Sequence, residues 1–333
     1  MIVLGIETSC DETAASVVGP GGVLSDVVHT QEIHCEYGGV VPELAGRAHA
    51  DKVVTTVQAA LSRAGVDQPD AVAATAGPGL IGAVLVGLCF GKSLAAGWRV
   101  PFVGVNHLEG HLLSAMLEPD GPAFPFLSLV VSGGHTSLYL ARGLGDYTVL
   151  GETVDDAAGE AFDKVARMLD LGYPGGPAVD RLARTGDPGA VSLPRPQPKV
   201  KPPKTPSGHR GTRALDMSFS GLKTAVRAQV GQASAADICA SFQQAVVDVL
   251  TERVRRAARE TGVRAVTMAG GVAANSQLRE TMMGLDLDVR LPPKNRCTDN
   301  AAMIAHAGRL RLLAGEQHGL DYGARAQWTP GVL

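Results

Sequence analysis

Residues 105–115 of the 333-residue sequence read VNHLEGHLLSA, with His107 and His111 four positions apart and Glu109 between them. On a helix the two histidines are separated by about 40° and share one face, so both imidazoles can grip one divalent ion. A zinc peptidase of the H-E-x-x-H type carries its base one residue after the first histidine. Here the spacing is H-x-E-x-H, which turns Glu109 about 200° away from His107 and off the metal-facing side. Peptidase chemistry would require a broken helix, with Gly110 as the point of distortion. Two core histidines would satisfy the same spacing, and the pattern alone does not choose between a metal site and a core pair.

Two further stretches can bind anions. VVSGGHT (130–136) and MAGGVAAN (268–275) each place a double glycine after an expected strand, and GPGLIG (77–82) is a third glycine turn. Paired glycines let backbone N–H groups point at a phosphate with no side chain in the way. Each one taken singly is also an ordinary turn, but three in one chain favour a nucleotide site. The sequence has no G-x-x-x-x-G-K-[ST], so no P-loop fingerprint is present. Asp11 and Glu12 form an acid pair at an expected turn, able to meet phosphate through a cation or to act as a base; plain turn chemistry explains them equally well. Asp163 and Asp180 flank a Gly-Pro-rich loop, where carboxylates can hold ribose hydroxyls or can simply be solvated helix charges.

The elements that must position these residues follow from periodicity. IVLGI (2–6), the polar turn ETSCDET and AASVV (14–18) predict a hairpin, and VLSDVVHT (23–30) a third strand. Residues 43–65 have helical spacing and end at Gly65, a suitable C-cap. Residues 70–80 predict a strand running into a glycine turn, followed by a helix to about Gly97, and 101–106 a strand leading into the histidine helix. The pattern then restarts at FLSLVVSGGHTSLYL (126–140), with a third strand near 147–150, helices at about 157–170, 177–185 and 235–260, and a strand–turn–helix over 263–278. TDNAAMIAHAGRLRLL (298–313) predicts a closing helix capped by its Thr-Asp-Asn start. Two such hairpins about 120 residues apart point to a duplicated α/β fold whose two lobes aim both tips into one cleft. We place a first lobe at 1–120 plus 300–333 and a second at 121–299, divided at the Pro- and Gly-rich EPDGPAFP (118–125). A Pro-rich basic insertion lies near 187–213, with Arg195, Lys199, Lys201, Lys204, Arg210 and Arg213 and no acid over 188–213. It reads as a solvated loop or as a phosphate-contacting arm.

Composition narrows the class. Glycine is high, at 41, and aromatics low, at 4%, as suits tight turns and close backbone approach. A net charge of −3 gives no global basic field, so any nucleic-acid contact is local or assisted by a partner. The five cysteines, Cys10, Cys35, Cys89, Cys239 and Cys297, are scattered without a CxxC pair, which argues against a disulfide scaffold or thiolate zinc site and fits a reducing cytosol. The N-terminus lacks signal-peptide features, and the longest apolar run, from Leu80, stops at Lys92, short of a bilayer span. The expected location is cytoplasmic.

Across nearly its whole length the chain resembles the tRNA N6-adenosine threonylcarbamoyltransferases, the TsaD family, formerly labelled O-sialoglycoprotein endopeptidases. The motifs, in order, are GIETSCDETAASVV, YGGVVPELAGRAH, NHLEGH, LVVSGGHT, GEAFDKVARMLDLGYPGGPAVD, MSFSGLKTAV, AGGVAAN and CTDNAAMIAHAG. The resemblance implies an actin/sugar-kinase/Hsp70-like (ASKHA) fold with an interlobe nucleotide cleft. It implies one divalent metal, Fe²⁺ or else Zn²⁺, held by His107, His111 and Asp299. It places Val130, Val131, Ser132, Gly133 and Gly134 against the substrate phosphate, Asp163, Gly176 and Asp180 at the ribose and adenine, and Asn275 at the edge of the nucleoside pocket.

The implied reaction moves the threonylcarbamoyl group of L-threonylcarbamoyl-adenylate to N6 of the adenosine 3′ of the anticodon, in tRNAs reading codons that begin with A, and releases AMP. The substrate is a mixed anhydride and already activated, so no nucleophilic Ser or Cys is needed, and the sequence presents no triad. The protein's tasks are to align the reactants and to stabilise charge on the carbamoyl oxygen and leaving phosphate. Asp11 and Glu12 are the candidates for proton handling. The target base must reach a cleft, so the tRNA loop is expected to be splayed. Implied partners are tRNA, a TsaB-like paralogue and a TsaE-like ATPase. The competing readings are a metallopeptidase and a non-catalytic ATP-binding partner protein of the same fold.

Overall fold

The computed structural model describes residues 1–199 and 213–331. The chain runs β1 (Val3–Glu7), β2 (Glu12–Gly19), β3 (Gly22–Thr30), α1 (Pro42–Ala64), β4 (Ala71–Gly77), α2 (Ile81–Trp98), β5 (Phe102–Asn106) and α3 (His107–Leu113). It continues with β6 (Phe126–Val131), β7 (Thr136–Gly143), β8 (Asp146–Glu152), α4 (Ala158–Met168), α5 (Gly175–Ala183), α6 (Ser220–Arg227), α7 (Ala235–Thr261), β9 (Ala265–Ala269), α8 (Ser276–Met283), β10 (Asp288–Val289) and α9 (Ala301–Leu313). These elements form two compact units. The first comprises Met1–Gly121, Leu144–Asp146 and Asp299–Leu333; the second comprises Pro122–Gly143 and Tyr147–Thr298.

The two sheets repeat one topology. The first has strand order β3-β2-β1-β4-β5 and the second β10-β9-β6-β7-β8. In each, the opening strand pairs antiparallel with its hairpin mate, Val3 opposite Val18 and Phe126 opposite Ala141. On its other side it pairs parallel with a later strand, Val3 beside Ala71 and Leu127 beside Val266. The restart of the sequence pattern at residue 126 is therefore a duplication in space.

In the first unit, β1 and β4 are buried along their whole length, which is why they read as continuous apolar runs without alternation. Helices α1 and α2 pack on one face, where Leu4, Ile6, Val72 and Ala74 join Val53, Val57 and Leu88 in a core. Helix α9 covers the opposite face at close range. A Cβ on Gly5 would stand 2.4 Å from the Ala301 carbonyl oxygen, and one on Gly308 2.4 Å from the Ala73 methyl. Small residues on both surfaces thus fix where α9 begins over β1. In the second unit, Phe162 of α4 and Phe242 of α7 meet edge to face at 5.1 Å, within a core that also holds Leu129, Val131 and Met268.

Several boundaries differ from expectation, each for a local reason. Within the expected Thr-Asp-Asn start, Asn300 is the residue that caps the closing helix, accepting from the Met303 N–H at 3.0 Å, so Asp299 stands just ahead of the cap. Glu12 is the first residue of β2, paired with Thr30, and does not belong to the turn. A helix over Ser220–Arg227 went unread because its start, Phe219, makes no side-chain cap; instead Asp155 receives the Phe219 and Ser220 N–H groups and both flanking serine hydroxyls. Helix α2 runs past Lys92 to Trp98 and is long and apolar enough to cross a membrane by length and composition. One of its faces seats on the sheet, with Gly87 against Thr8 and Gly91 against Ala74. Lys92 bonds the Leu320 and Tyr322 carbonyls, each at 3.0 Å.

Candidate functional site

Strand β5 delivers its last residue, Asn106, as the cap of α3: its side-chain oxygen accepts from the Leu108 and Glu109 N–H groups at 2.9 and 3.2 Å. That cap starts the helix at His107 and sets both histidines on one face. Their rings meet edge to face at 4.7 Å. Asp299, leading into α9, completes the group. One ligand atom from each of His107, His111 and Asp299 lies within 4.8 Å of the others. Asp299 Oδ1 is 2.9 Å from His111 Nε2 and 3.6 Å from His107 Nε2.

The donors suit a divalent ion. Two imidazoles and one carboxylate with open positions beside them form a set used for Zn²⁺ and non-haem Fe²⁺. Both histidines are buried, and His111 Nδ1 has no hydrogen-bond partner among the described residues, a costly arrangement for a ring that carries no other function. His107 is held from behind. Its Nδ1 lies 3.0 Å from Glu7 Oε2 and 3.2 Å from Ser9 Oγ, leaving Nε2 to face Asp299. The tautomer follows from that pairing, because Glu7 is fully buried and also receives the Thr75 hydroxyl at 2.6 Å and the Ser9 N–H. Burial alone would raise the Glu7 carboxyl, but the adjoining His107 holds it below its ordinary value. Burial would likewise depress His107; Glu7 first, then Asp299, push it up to about 9.

Glu7 and Ser9, which hold His107 from behind, carried no assignment in the motif analysis. The available signal was a carboxylate closing an otherwise apolar strand, a position that needs a partner. Glu7→Gln should leave the fold intact, since the shape is kept, yet one of the three donors would then face an amide N–H. We expect Zn²⁺ affinity, measured by chelator competition, to fall about 10- to 100-fold, the range usual for losing an outer partner of a ligating histidine. An unchanged affinity would show that Glu7 does not orient the ring.

Next to this cluster, Asp11 and Glu12 lie at the start of β2. The Asp11 carbonyl accepts from Gln31 N–H at 3.0 Å, and His49 braces the bend, bonding the Cys10 carbonyl at 2.9 Å and the Thr13 hydroxyl at 2.8 Å. Burial, then the Asp299 and Asp11 carboxylates, push the Glu12 carboxyl up to about 10. Burial and Asp11 also raise the Cys10 thiol, which leaves it without thiolate character. Glu109 is fully buried and paired with Arg311, with 2.9 Å between Oε1 and Nη2. It is therefore not placed as a peptidase base.

The remaining residues belong to the second unit. Ser132 closes the first glycine turn: its N–H donates to the His135 carbonyl at 2.7 Å, and its hydroxyl accepts from the His135 N–H at 3.0 Å. A Cβ on Gly133 or Gly134 would meet nothing within 4 Å, so these two backbones are open to a ligand. The second glycine turn packs beneath: Gly270, at φ +94°, would bring a Cβ within 2.3 Å of the Val131 carbonyl oxygen. Asp163 Oδ1 takes the Gly175 N–H at 2.8 Å, tying α4 to the start of α5 beside Gly176. Asp180 accepts from the Ser276 hydroxyl at 2.6 Å, next to Asn275. The Asn275 side chain caps α8 through the Leu278 N–H and donates to Gln243 at 2.7 Å. So α5, α8 and the two glycine turns gather Asp180 and Asn275 at one corner and Val131 and Gly270 at another. Arg195 is ion-paired with Asp248 at 2.7 Å, while Lys201, Lys204 and Arg210 lie outside the described residues.

Residues 22–306 match the family described as TsaD, tRNA N6-adenosine threonylcarbamoyltransferase. A protein of that name from Anaeromyxobacter dehalogenans strain 2CP-1 is 53% identical over 341 residues, 98% of each chain. Another, from Sinorhizobium medicae, is 51% identical over 354 residues, covering 98% of this chain and 95% of the relative. Among solved structures, HypF of T. kodakarensis is 16% identical with a TM-score of 0.62, covering 94% of this chain and 48% of its own. The Acidaminococcus fermentans (R)-2-hydroxyglutaryl-CoA dehydratase component A is 15% identical with a TM-score of 0.54, covering 94% and 99%. These structural likenesses establish the ASKHA fold and nothing finer.

Proposed function

Since the chain belongs to the tRNA N6-adenosine threonylcarbamoyltransferase family, we propose that its transfer reaction depends on a divalent ion held by His107, His111 and Asp299. The chain is a transferase acting in tRNA threonylcarbamoyladenosine modification, and tRNA and an adenylate are its substrates. The observation that carries the proposal is the convergence of the three donor atoms within 4.8 Å, with His107 backed by the buried carboxylate of Glu7. The mixed nitrogen and oxygen donors favour Fe²⁺, with Zn²⁺ as the alternative. Bound there, the ion supplies positive charge for the carbamoyl oxygen and the leaving phosphate.

The chain's own residues do the rest. The open backbone at Gly133 and Gly134, supported by Val130, Val131 and Ser132, offers N–H donors to the phosphate. Asp163 orders the start of α5 at Gly176, and Asp180 orders the Asn275–Ser276 bend; together they shape the ribose and adenine side. The proton leaving N6 goes to a carboxylate at the start of β2, Asp11 or Glu12, and Glu12 can take it only when ionised. A displacement on an activated anhydride needs alignment more than a protein nucleophile, and Cys10, with its raised thiol, does not supply one. The enzyme is proposed to be cytoplasmic and to work with a TsaB-like paralogue and a TsaE-like ATPase, on family resemblance. The test is product formation: purified enzyme, L-threonylcarbamoyl-adenylate and tRNA should yield modified adenosine and AMP, and removal of metal by a chelator should stop it. Modification that persists in metal-stripped protein would refute the metal dependence.

The basic segment is proposed as a tRNA arm. Reversing the charges of Lys199, Lys201 and Lys204 should weaken tRNA binding and lower the slope of log K against log salt by about 2, since each lost phosphate contact removes about 0.7. An unchanged slope would make the segment a solvated loop.

A further inference from the structure

The glutamate between the two histidines has left the metal face, and its actual partner suggests what it does. Glu109 is fully buried, and it pairs with Arg311, whose side chain is 12% exposed. Arg311 sits in the last turn of α9, the helix that Asp299 leads into. Arg311 grips Glu109 with Nε and Nη2, and its Nη1 holds Glu316, just beyond the helix. Along the same contact, Gly110 lets α3 rest directly on α9: a Cβ there would stand 2.9 Å from Ile304 Cδ1 and 3.2 Å from Met303 Cγ. The front end of α3 is tied to the C-terminal segment as well, because the Asn106 amide donates to the Trp328 carbonyl at 3.1 Å. Two of the three candidate ligands ride on α3 and the third leads into α9, so their separation is set by how these two helices sit on each other.

We propose that Glu109 is a positioning residue: through its two-pronged pairing with Arg311 it clamps α3 to α9 and fixes the distance of His107 and His111 from Asp299. This rests on the metal-site reading above. A helix of seven residues has little stability of its own, so its orientation must come from tertiary ties. An arginine fork meeting a carboxylate is directional, which a purely apolar contact is not.

The test separates position from stability. Removing one partner of a buried pair destabilises, whereas replacing both by apolar residues of similar size is often neutral. The variant Glu109→Leu with Arg311→Met should therefore melt near the parent temperature but bind Zn²⁺ at least tenfold more weakly by chelator competition. Its kcat for tRNA modification should fall while KM for tRNA holds. Arg311→Lys, which keeps the charge and loses the fork, should show a smaller loss of the same kind. Arg253→Met, which breaks a buried contact to the Asp216 carbonyl in the second unit, should lower the melting temperature without changing Zn²⁺ affinity. Parental affinity in a folded double variant would overturn the proposal, as would parental affinity in Arg311→Lys should the double variant not fold. A parent protein that binds no Zn²⁺ would instead sink the metal site itself.

Discussion

His111→Ala should abolish tRNA modification to within about a thousandth of the parental rate, equivalent to about 4 kcal/mol of transition-state stabilisation. The same change should remove stoichiometric metal from the purified protein. The expectation follows from the geometry: His111 Nε2 is the nearer imidazole to Asp299, at 2.9 Å, and without it only two of the three donors remain. A two-ligand remnant cannot hold an ion against solvent in an open site. Folding should survive, since α3 keeps its Asn106 cap and its contact to α9 through Gly110. The assay is product formation from threonylcarbamoyl-adenylate and tRNA, with metal content measured on the same sample. Parental turnover with metal absent would remove the ion from the mechanism.

Gly270→Ala should be among the most damaging single-methyl changes in the second unit. The added Cβ would lie 2.3 Å from the Val131 carbonyl oxygen and 2.6 Å from its carbon, backbone that cannot swing aside, and φ is +94°. Left-handed strain and overpacking together cost about 2–5 kcal/mol. The Gly270 N–H also donates to the Cys297 carbonyl at 2.8 Å, so the strain would be passed to the segment leading to Asp299. Denaturant unfolding should report the loss, and AMP binding should weaken with it. Gly133→Ala is the matched contrast: its Cβ would meet nothing within 4 Å, so stability should hold and any loss of AMP affinity reports on the phosphate turn itself. Equal stability of Gly270→Ala and the parent would mean that this turn does not pack against β6 as described.

Much of this was legible in the sequence because it depended on local chemistry. The hairpin, the strand β4 and the long helix α7 announced themselves by apolar runs, periodicity and glycine caps, and the second hairpin at residue 126 exposed the duplication. The histidine pair was visible because helical spacing is local. Asp299 was not, since 188 positions separate it from His111 and they meet only through the docking of α9 on β1 and on α3; family resemblance supplied it. Helical spacing turns Glu109 away from the metal face, but the arginine 202 positions away that receives it left no trace in any window. For Glu7 the local signal was a carboxylate closing an apolar strand, but its partners, Thr75 and His107, arrive from β4 and α3 and cannot be read from that window. The start of α6 escaped because its cap is supplied by Asp155, from a distant loop.

The most direct measurement is anomalous diffraction from crystals of the metal-loaded enzyme, collected at the absorption edge of the bound metal. The account predicts one strong peak at about 2.0–2.2 Å from a nitrogen of His107, a nitrogen of His111 and an oxygen of Asp299. A peak coordinated by other side chains, with Asp299 still hydrogen-bonded to His111, would contradict it.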